Sequence, residues 1–331
     1  MIEPVETILK NHVADFLARH HINMKPLAIA FSGGVDSIVL LEILHRLRLD
    51  KSLPSLALQA IHVNHGISPN ANAWADFCHA ECLQRDIPIT VEVIAVDSNS
   101  GAGLEAAARE ARYRALQKNH AAFILTAQHQ DDQAETVLHQ MLRGTGLKGL
   151  AAMGEARALS ATKTLLRPLL AISRESIEAY ATAHSLRWIE DESNNDTAYT
   201  RNFIRHQLVP VIAERFPQYA ESLARTARHA AENAELNEAL AKIDLRWNGT
   251  EAFADALDVL PSNDKLPRQV NALYYWLRWQ NITTASHSQL EDWAVQLFRE
   301  SPESRPHQAG GHEFIIQRKR DRLELLLNQT K

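Results

Sequence analysis

The sequence predicts an α/β protein with a doubly wound parallel β-sheet, followed by a helical region and a smaller α+β C-terminal domain. Short apolar runs alternate four times with segments of helical periodicity, and this alternation stops after Gly154. The 331 residues also exceed what one core usually holds, so more than one unit is expected. Strands that alternate with helices pair in parallel, and their ligand site lies at the carboxyl ends of the strands.

The elements follow from hydrophobic spacing. Strands are predicted at 26–31, 56–63, 89–96 and 123–126, and helices at 4–21, 35–48, 72–86, 103–119 and 131–142. After Gly154, helices are predicted at 173–184, 201–209, 217–245, 264–279 and 287–299, and two strands at 313–318 and 322–327. The expected domains are 1–215, a long helical linker at 216–245, and 246–331.

Composition narrows the class of protein. No run of about 18 apolar residues is present, so no membrane association is expected. Two cysteines and an acidic N-terminal segment without an apolar signal core favour a reducing cytoplasm over secretion. The net charge of −5 is not that of a broadly basic protein, so a nucleic-acid partner would require local basic patches.

Three glycine clusters are candidates for a phosphate-binding loop. The cluster at 101–106 fits a loose dinucleotide fingerprint, but the next strand does not end in the acidic residue that would bind a ribose. The cluster at 144–149 follows a helix, so it is better explained as a helix stop. Only Ser32-Gly-Gly-Val-Asp-Ser37 lies between the first strand and the first helix of the predicted sheet.

The chemistry of this third loop favours a phosphate ligand. Gly33 and Gly34 let backbone N–H groups approach a phosphate, and the helix N-terminus adds positive potential. Ser32 and Ser37 could add hydroxyl donors. Asp36 beside a polyanion requires an intervening cation, which points to Mg²⁺ held by Asp36 and phosphate oxygens. No lysine follows the glycines, so the loop is not a Walker A motif. The alternative is a simple capped glycine turn.

These residues resemble the pyrophosphate-loop signature of the N-type ATP pyrophosphatases, and within that family the tRNA(Ile)-lysidine synthetases. Further similar segments, in order, are Ile61-His-Val-Asn-His-Gly66, Gly103-Leu-Glu-Ala-Ala-Ala-Arg-Glu-Ala-Arg-Tyr113, Leu125-Thr-Ala-Gln-His-Gln-Asp-Asp-Gln-Ala-Glu-Thr136, Gly144 to Gly149, Arg167-Pro-Leu-Leu170, Asp191-Glu-Ser-Asn-Asn-Asp196 and Arg201-Asn-Phe-Ile-Arg205. The resemblance covers about 30–210 and implies an adenine nucleotide α-hydrolase-like fold. The C-terminal region resembles the family's first C-terminal domain only in general pattern.

The resemblance implies a ligase that uses ATP and Mg²⁺. It would adenylate C2 of the wobble cytidine in a minor isoleucine tRNA with a CAU anticodon, and L-lysine would then displace AMP to give lysidine. It further implies that domain 1–215 is catalytic and that domain 246–331 contacts tRNA; a homodimer is also anticipated. Many members carry a second C-terminal domain, and its tRNA contacts are expected to be absent from these 331 residues.

The site residues each have a structural alternative. The nucleotide loop is Ser32, Gly33, Gly34, Val35, Asp36 and Ser37, and the catalytic candidates are Asp36, Arg112, His129, Asp132, Glu135 and Arg205. The spacing of Asp132 and Glu135 places both carboxylates on one side of a helix, where they could bind an ammonium group or only cap the helix. The resemblance favours contacts with lysine. His129 could donate to a phosphate or be a structural loop histidine. Arg112 and Arg205, the latter with Arg201, could bind phosphate or RNA, or be solvated.

Two other functions remain open. The first is tRNA thiolation by a related pyrophosphate-loop enzyme, which would require catalytic or cluster-binding cysteines. Cys78 and Cys82 are four residues apart on a predicted helix and are better explained as ordinary helix positions. The second is a nucleotide sensor without catalysis, which would require the loop but neither the acidic cluster nor Arg201 and Arg205.

Overall fold

The structure is a computed structural model that describes residues 5–22, 26–50, 57–95, 104–192, 196–282, 285–298, 307–310 and 314–327. The chain forms two compact units, 1–230 and 231–331. The division lies inside helix α10, Tyr219–Asp244, and within the segment 216–245 expected to be a linker.

The first unit is built on a six-stranded sheet. Its strands are β1 Leu27–Ala30, β2 Leu58–Asn64, β3 Ile89–Val93, β4 Phe123–Leu125, β5 Ala156–Ser160 and β6 Lys163–Leu166. The order across the sheet is β3-β2-β1-β4-β6-β5, and every neighbouring pair is parallel except the β5–β6 hairpin. The predicted parallel sheet is therefore confirmed.

The sheet continues beyond the point at which the alternation of apolar runs stops. The hairpin of β5 and β6, which was not predicted, adds two strands to the sheet after Gly154. Strand β5 lies at the sheet edge and is largely exposed, so burial does not require an apolar run there. The continuous apolar run that identifies a buried strand is consequently missing from β5.

The helices of this unit lie close to their predicted bounds, except for the short helix Leu147–Leu150, which was not predicted, and the helix predicted at 201–209. They are α1 Val5–Arg19, α2 Val35–Leu49, α3 Ala71–Gln84, α4 Leu104–Lys118, α5 Gln130–Leu142, α6 Leu147–Leu150, α7 Arg174–Ala183, α8 Thr200–Phe203 and α9 Val209–Arg215. Between α8 and α9 the chain forms a π-helical turn, Ile204–Leu208. The single helix predicted at 201–209 is thus longer and interrupted, and such a turn has no signature in hydrophobic spacing.

The core fixes where the ligand site can lie. Strand β1 is buried in the middle of the sheet, and α2 carries a nearly continuous buried apolar surface that includes Ile38, Leu41 and Leu44. The chain proceeds from β1 to β2 on one side and places β4 on the other. The loops after β1 and β4 therefore diverge at a topological switch point, where α/β sheets bind ligands.

The second unit is an α+β structure. Its antiparallel sheet has the order β7-β10-β9-β8, from β7 Ala252–Phe253, β8 His307–Gly310, β9 Phe314–Lys319 and β10 Arg322–Leu327. Helices α11 Ser262–Trp279 and α12 His287–Phe298 cover it with a core that includes Leu273, Trp276 and Trp293. The predicted β9–β10 pair is confirmed, whereas the short strands β7 and β8 were not predicted. Within the described part of the chain, no helix has the length and apolar character needed to span a membrane.

Candidate active site

The loop between β1 and α2 is held open by its own side chains and backbone. Gly33 has φ +85°, a conformation that disfavours any residue with a Cβ. The buried Ser37 hydroxyl accepts a hydrogen bond from the Gly33 N–H at 3.1 Å and donates to the Gly34 carbonyl at 2.9 Å. Ser32 Oγ lies 3.1 Å from Ser37 Oγ and accepts a bond from the Gly34 N–H at 3.4 Å. Both serines therefore stabilise the shape of the loop in this structure.

A distant segment packs over the same loop. The Ile189 N–H donates to the Gly33 carbonyl at 2.9 Å. A Cβ placed on Gly33 would lie 2.5 Å from Ile189 Cδ1 and 3.0 Å from Cys78 Sγ, whereas one on Gly34 would meet nothing closer than 3.6 Å. Gly33 is therefore required both by its backbone conformation and by its neighbours.

The carboxylate of Asp36 faces a buried histidine. Nε2 of His129 lies 3.6 Å from Asp36 Oδ1 and 3.5 Å from Asp132 Oδ2. His129 is 1% exposed and caps α5, because its ring accepts a bond from the Asp132 N–H while the Asp132 side chain accepts one from the His129 N–H. Burial alone would lower the pKa of His129, but Asp131, Asp132 and Asp36 outweigh it and raise that pKa. Contact between this imidazole and a phosphate would require a side-chain movement.

Burial controls the ionisation of Asp36. It raises the pKa of this carboxyl above its ordinary value, partly countered by His129. Asp36 Oδ1 is buried and forms no hydrogen bond in the described part of the chain. An oxygen without a partner beside a phosphate-binding loop is a suitable ligand for Mg²⁺. No cluster of three or more His, Cys, Asp or Glu side chains that could hold a metal ion occurs among the described residues.

Asp132 and Glu135 are both buried and form a compact network with two arginines. Arg201 donates to Asp132 Oδ1 at 2.8 Å and to Glu135 Oε2 at 3.1 Å. Arg205 donates to Asp132 Oδ1 at 2.9 Å and to Glu135 Oε1 at 2.6 Å and Oε2 at 3.0 Å. Burial favours a raised pKa for Asp132, but His129 and the two guanidinium groups outweigh it and lower that pKa. All four carboxylate oxygens therefore already accept hydrogen bonds.

Asp131 belongs to the framework around the network. Its carboxylate accepts bonds from the Arg174 backbone N–H at 2.9 Å and from the Tyr219 hydroxyl at 3.0 Å. Burial opposes ionisation of Asp131, but His129 and these donors lower its pKa to about 2. The charge of Asp131 thus connects the starts of α5, α7 and α10.

The segment Ile61 to Gly66 lies at the carboxyl end of β2, next to the glycine loop. His62 is buried with Nδ1 3.0 Å from the Phe31 carbonyl oxygen, and Asn64 accepts a bond from the Gly66 N–H at 2.9 Å. Burial lowers the pKa of His65, and repulsion by Arg112 lowers it further. Arg112 lies on α4, is exposed, and is close enough to Arg201 for their charges to interact.

The structure brings the predicted site residues together at the carboxyl ends of the strands. They differ in how accessible they are to solvent. The loop residues, Asp36, His129, Asp132, Glu135 and Arg205 form one group, and Arg112 borders it from α4. Sequence reasoning gave Arg201 only as a companion of Arg205, although the i, i+4 spacing pairs them, and missed Ile189 altogether. Of the rejected glycine clusters, Gly144 ends α5 with φ +67°, and the one at 101–106 begins outside the described residues.

These features, a glycine loop at the switch point of a parallel sheet with a carboxylate in its first helical turn, define the class of a pyrophosphate-loop nucleotide-binding protein. Residues 5–212 match the family model of the PP-loop domain. A solved structure, a U34-tRNA thiolase from Methanococcus maripaludis with its [4Fe-4S] cluster, superposes with a TM-score of 0.58 at 20% identity, covering 69% of this chain and 80% of that one. That similarity shows the shared fold.

Two relatives in sequence show to which family of PP-loop proteins the chain belongs. The chain is 42% identical over 320 residues to a tRNA(Ile)-lysidine synthase from Serratia proteamaculans, covering 96% of this chain and 72% of the relative. It is 44% identical over 249 residues to a tRNA(Ile)-lysidine synthase from Chromobacterium violaceum, and this match covers 75% of this chain and 56% of the relative. This chain belongs to the tRNA(Ile)-lysidine synthase family of PP-loop proteins. It spans little more than half the length of some relatives, 56% for the Chromobacterium violaceum protein.

Proposed function

We propose that this chain is a cytoplasmic ligase that joins L-lysine to C2 of the wobble cytidine of a minor isoleucine tRNA, using ATP. In the first step, the cytidine O2 attacks the α-phosphorus of ATP and pyrophosphate leaves. In the second step, the lysine side-chain amine, after losing a proton, attacks C2, and the bond from C2 to the adenylated oxygen breaks to release AMP. The products are lysidine, AMP and pyrophosphate.

The observation that carries the proposal is the arrangement at the switch point between β1 and β4. The glycine loop and the N-terminus of α2 would hold the pyrophosphate portion of ATP, because backbone N–H groups at a helix start bind anions. Asp36 would hold Mg²⁺, which when bound neutralises charge on the phosphate oxygens. His129 would fix the Asp36 carboxylate, since its buried ring lies between Asp36 and Asp132.

The arginine network supplies the cations that the reaction needs near the α-phosphate. Arg205 retains 22% and Arg201 36% exposure of their side chains, so both border open space while their carboxylate partners are buried. Guanidinium groups held in place by carboxylates are suited to stabilise charge that develops on phosphate. Direct contacts of Asp132 and Glu135 with lysine stay a prediction, and they would require lysine to share oxygens that these arginines occupy.

The cysteines favour ligation over thiolation. Cys78 and Cys82 are fully buried in the core of the first unit, and burial raises the pKa of both thiols, that of Cys82 to about 12. A thiol with so high a pKa is a poor nucleophile near neutral pH. We expect the Cys78→Ala/Cys82→Ala variant to retain lysine incorporation, with a lower melting temperature. Loss of activity in a folded variant would favour thiolation instead.

The decisive experiment is incubation with labelled L-lysine, ATP, Mg²⁺ and bulk bacterial tRNA. We expect label in RNA, release of AMP and pyrophosphate, and no incorporation when ATP is omitted. Incorporation of sulfur from a donor, with none of lysine, would contradict the proposal in favour of thiolation. Binding of ATP without turnover would favour a sensor. The predicted homodimer is tested separately by light scattering.

A further inference from the structure

Three arginines surround one tyrosine beside the candidate active site. The guanidinium carbons of Arg109 and Arg157 each lie 5.2 Å from the centre of the Tyr113 ring. Arg167 is close enough to the same tyrosine, and to Arg109 and Arg157, for their charges to interact. Arg109 and Arg157 are exposed, whereas Arg167 is 3% exposed.

This cluster carries positive charge without a matching carboxylate. Arg167 donates to the Gly154 carbonyl at 2.6 Å, but its Nε is buried with no hydrogen-bond partner. Among the side chains that the structure describes, no carboxylate pairs with Arg109, Arg157 or Arg167. A buried guanidinium normally has an anionic partner, because desolvation of an unpaired charge is costly. The uncompensated positive charge of the three arginines therefore favours binding of an anion at the exposed Arg109 and Arg157.

The location connects this cluster to the site of chemistry. Arg167 directly follows β6, and the carboxyl end of β6 pairs with that of β4. Arg167 therefore lies at the carboxyl ends of the strands, as the glycine loop does. Two strand spacings separate β6 from β1, which corresponds to roughly 10 Å. Arg112, three residues after Arg109 on α4, is close enough to both Arg109 and Arg201 for their charges to interact. Positive charge thus extends from the arginines beside Tyr113 towards Arg201, which pairs with Asp132 and Glu135.

We propose that the exposed Arg109 and Arg157, which lie over the Tyr113 ring, bind a backbone phosphate of the tRNA next to the nucleotide being modified, and that the buried charge of Arg167 adds positive potential beside them. The inference rests on the proposed function and adds to it an RNA-binding surface. Guanidinium groups bind phosphate through paired N–H donors, and stacking on the ring limits the freedom of Arg109 and Arg157. RNA is favoured over ATP because the glycine loop already provides a phosphate site two strands away and the exposed arginines are open to a large partner. Such a local patch is what an RNA-binding protein of net charge −5 requires.

The test compares Arg109→Gln/Arg157→Gln with a matched control on the same helix, Arg114→Gln. Arg114 is 67% exposed and its nearest carboxylate, on Glu110, is 3.9 Å away. Affinity for tRNA is measured by filter binding at several salt concentrations, and ATP affinity by calorimetry without tRNA. We expect the double variant to bind tRNA roughly tenfold more weakly, with a salt dependence lowered by about 0.7–0.9 per lost phosphate contact. The control variant should keep both the affinity and the slope.

A second variant separates charge from structure. Arg109→Lys/Arg157→Lys retains the charges and should preserve most of the salt dependence, and circular dichroism verifies folding of each protein. Unchanged tRNA affinity and slope in the folded glutamine variant would overturn the inference, as would an equal loss in the Arg114 control. Loss of ATP affinity together with tRNA affinity would overturn it too, because the bound phosphate would then belong to ATP. Failure of the proposed function is distinguishable, since the unsubstituted protein would then incorporate no lysine.

Discussion

Substitution of Glu135 by glutamine tests whether the acidic pair serves to position the arginines. Glutamine keeps the shape of the side chain but removes the charge that Arg201 and Arg205 share. The Glu135 carboxylate accepts three N–H bonds from them, at 2.6, 3.0 and 3.1 Å. An amide has one acceptor oxygen, and its NH₂ group would face guanidinium donors. At least one charge-assisted bond is therefore lost.

The expected cost follows from the burial of the network. A hydrogen bond to a charged group contributes about 1.5–3 kcal/mol, and removal of one partner of a buried ion pair costs about 3–5 kcal/mol. Glu135 is 4% exposed, but Arg205 and Arg201 retain 22% and 36% side-chain exposure, so water recovers part of the loss. We expect Glu135→Gln to destabilise this network by about 2–3 kcal/mol.

Hydrogen exchange of the peptide that contains α8 and the π-helical turn measures this loss locally, which avoids assuming that the two units unfold together. A loss of 2–3 kcal/mol corresponds to exchange roughly 30- to 150-fold faster. The matched control is Glu178→Gln, whose exposed pair with Arg174 has an N–O distance of 2.7 Å. An exposed pair contributes about 0–1 kcal/mol, so little change is expected there. Glu135→Gln combined with Arg205→Gln should cost less than the sum of the single changes.

Catalysis distinguishes positioning from direct lysine binding. If the arginines stabilise phosphate charge in both steps, as proposed, pyrophosphate release and labelled-lysine incorporation should fall together in Glu135→Gln. Normal pyrophosphate release with selective loss of lysine incorporation would refute the positioning role and support direct contact with lysine. Unchanged exchange and unchanged activity would show that Glu135 contributes only to the helix start.

Three further predictions concern the loop and its surroundings. Asp36→Asn should abolish ATP-dependent pyrophosphate release, and near-normal turnover by the folded variant would contradict the metal role. The variant should be at least as stable as the unsubstituted protein at pH 7. The reason is that folding raises the pKa of the Asp36 carboxyl, so its ionisation at higher pH destabilises the folded protein. Gly33→Ala should lower the free energy of unfolding by about 1–3 kcal/mol and Gly34→Ala should not, since only Gly33 has a positive φ and a close Ile189; equal melting temperatures of these two variants would be inconsistent with this account. Asp131→Asn should cost on the order of 2 kcal/mol near pH 7, and the difference from the unsubstituted protein should shrink as pH falls from about 4 towards 2, because the pKa of Asp131 is about 2 in the fold and 3.8 as its ordinary value. Denaturant titrations across that range would contradict it if the difference stayed constant.

The sequence by itself determined the features that depend on local order along the chain. Alternation of apolar runs and helical segments gave the parallel sheet, and the position of the glycines between a strand and a helix gave the nucleotide loop. The acidic side chains of Asp132 and Glu135 share one side of α5 because residues three apart in a helix face the same way. The helix stop at Gly144 likewise needed only local chemistry.

Only the tertiary structure decided what those side chains contact. The arginines that neutralise Asp132 and Glu135 come from 66 to 73 residues further along the chain, and the Ile189 backbone reaches the loop from a segment without secondary structure. Strand β5 joined the sheet although its exposed position leaves no apolar pattern. Hydrophobic periodicity records which face of an element is buried, but the pairing of charges depends on the path of the chain between elements, and that path is set by packing of the whole unit.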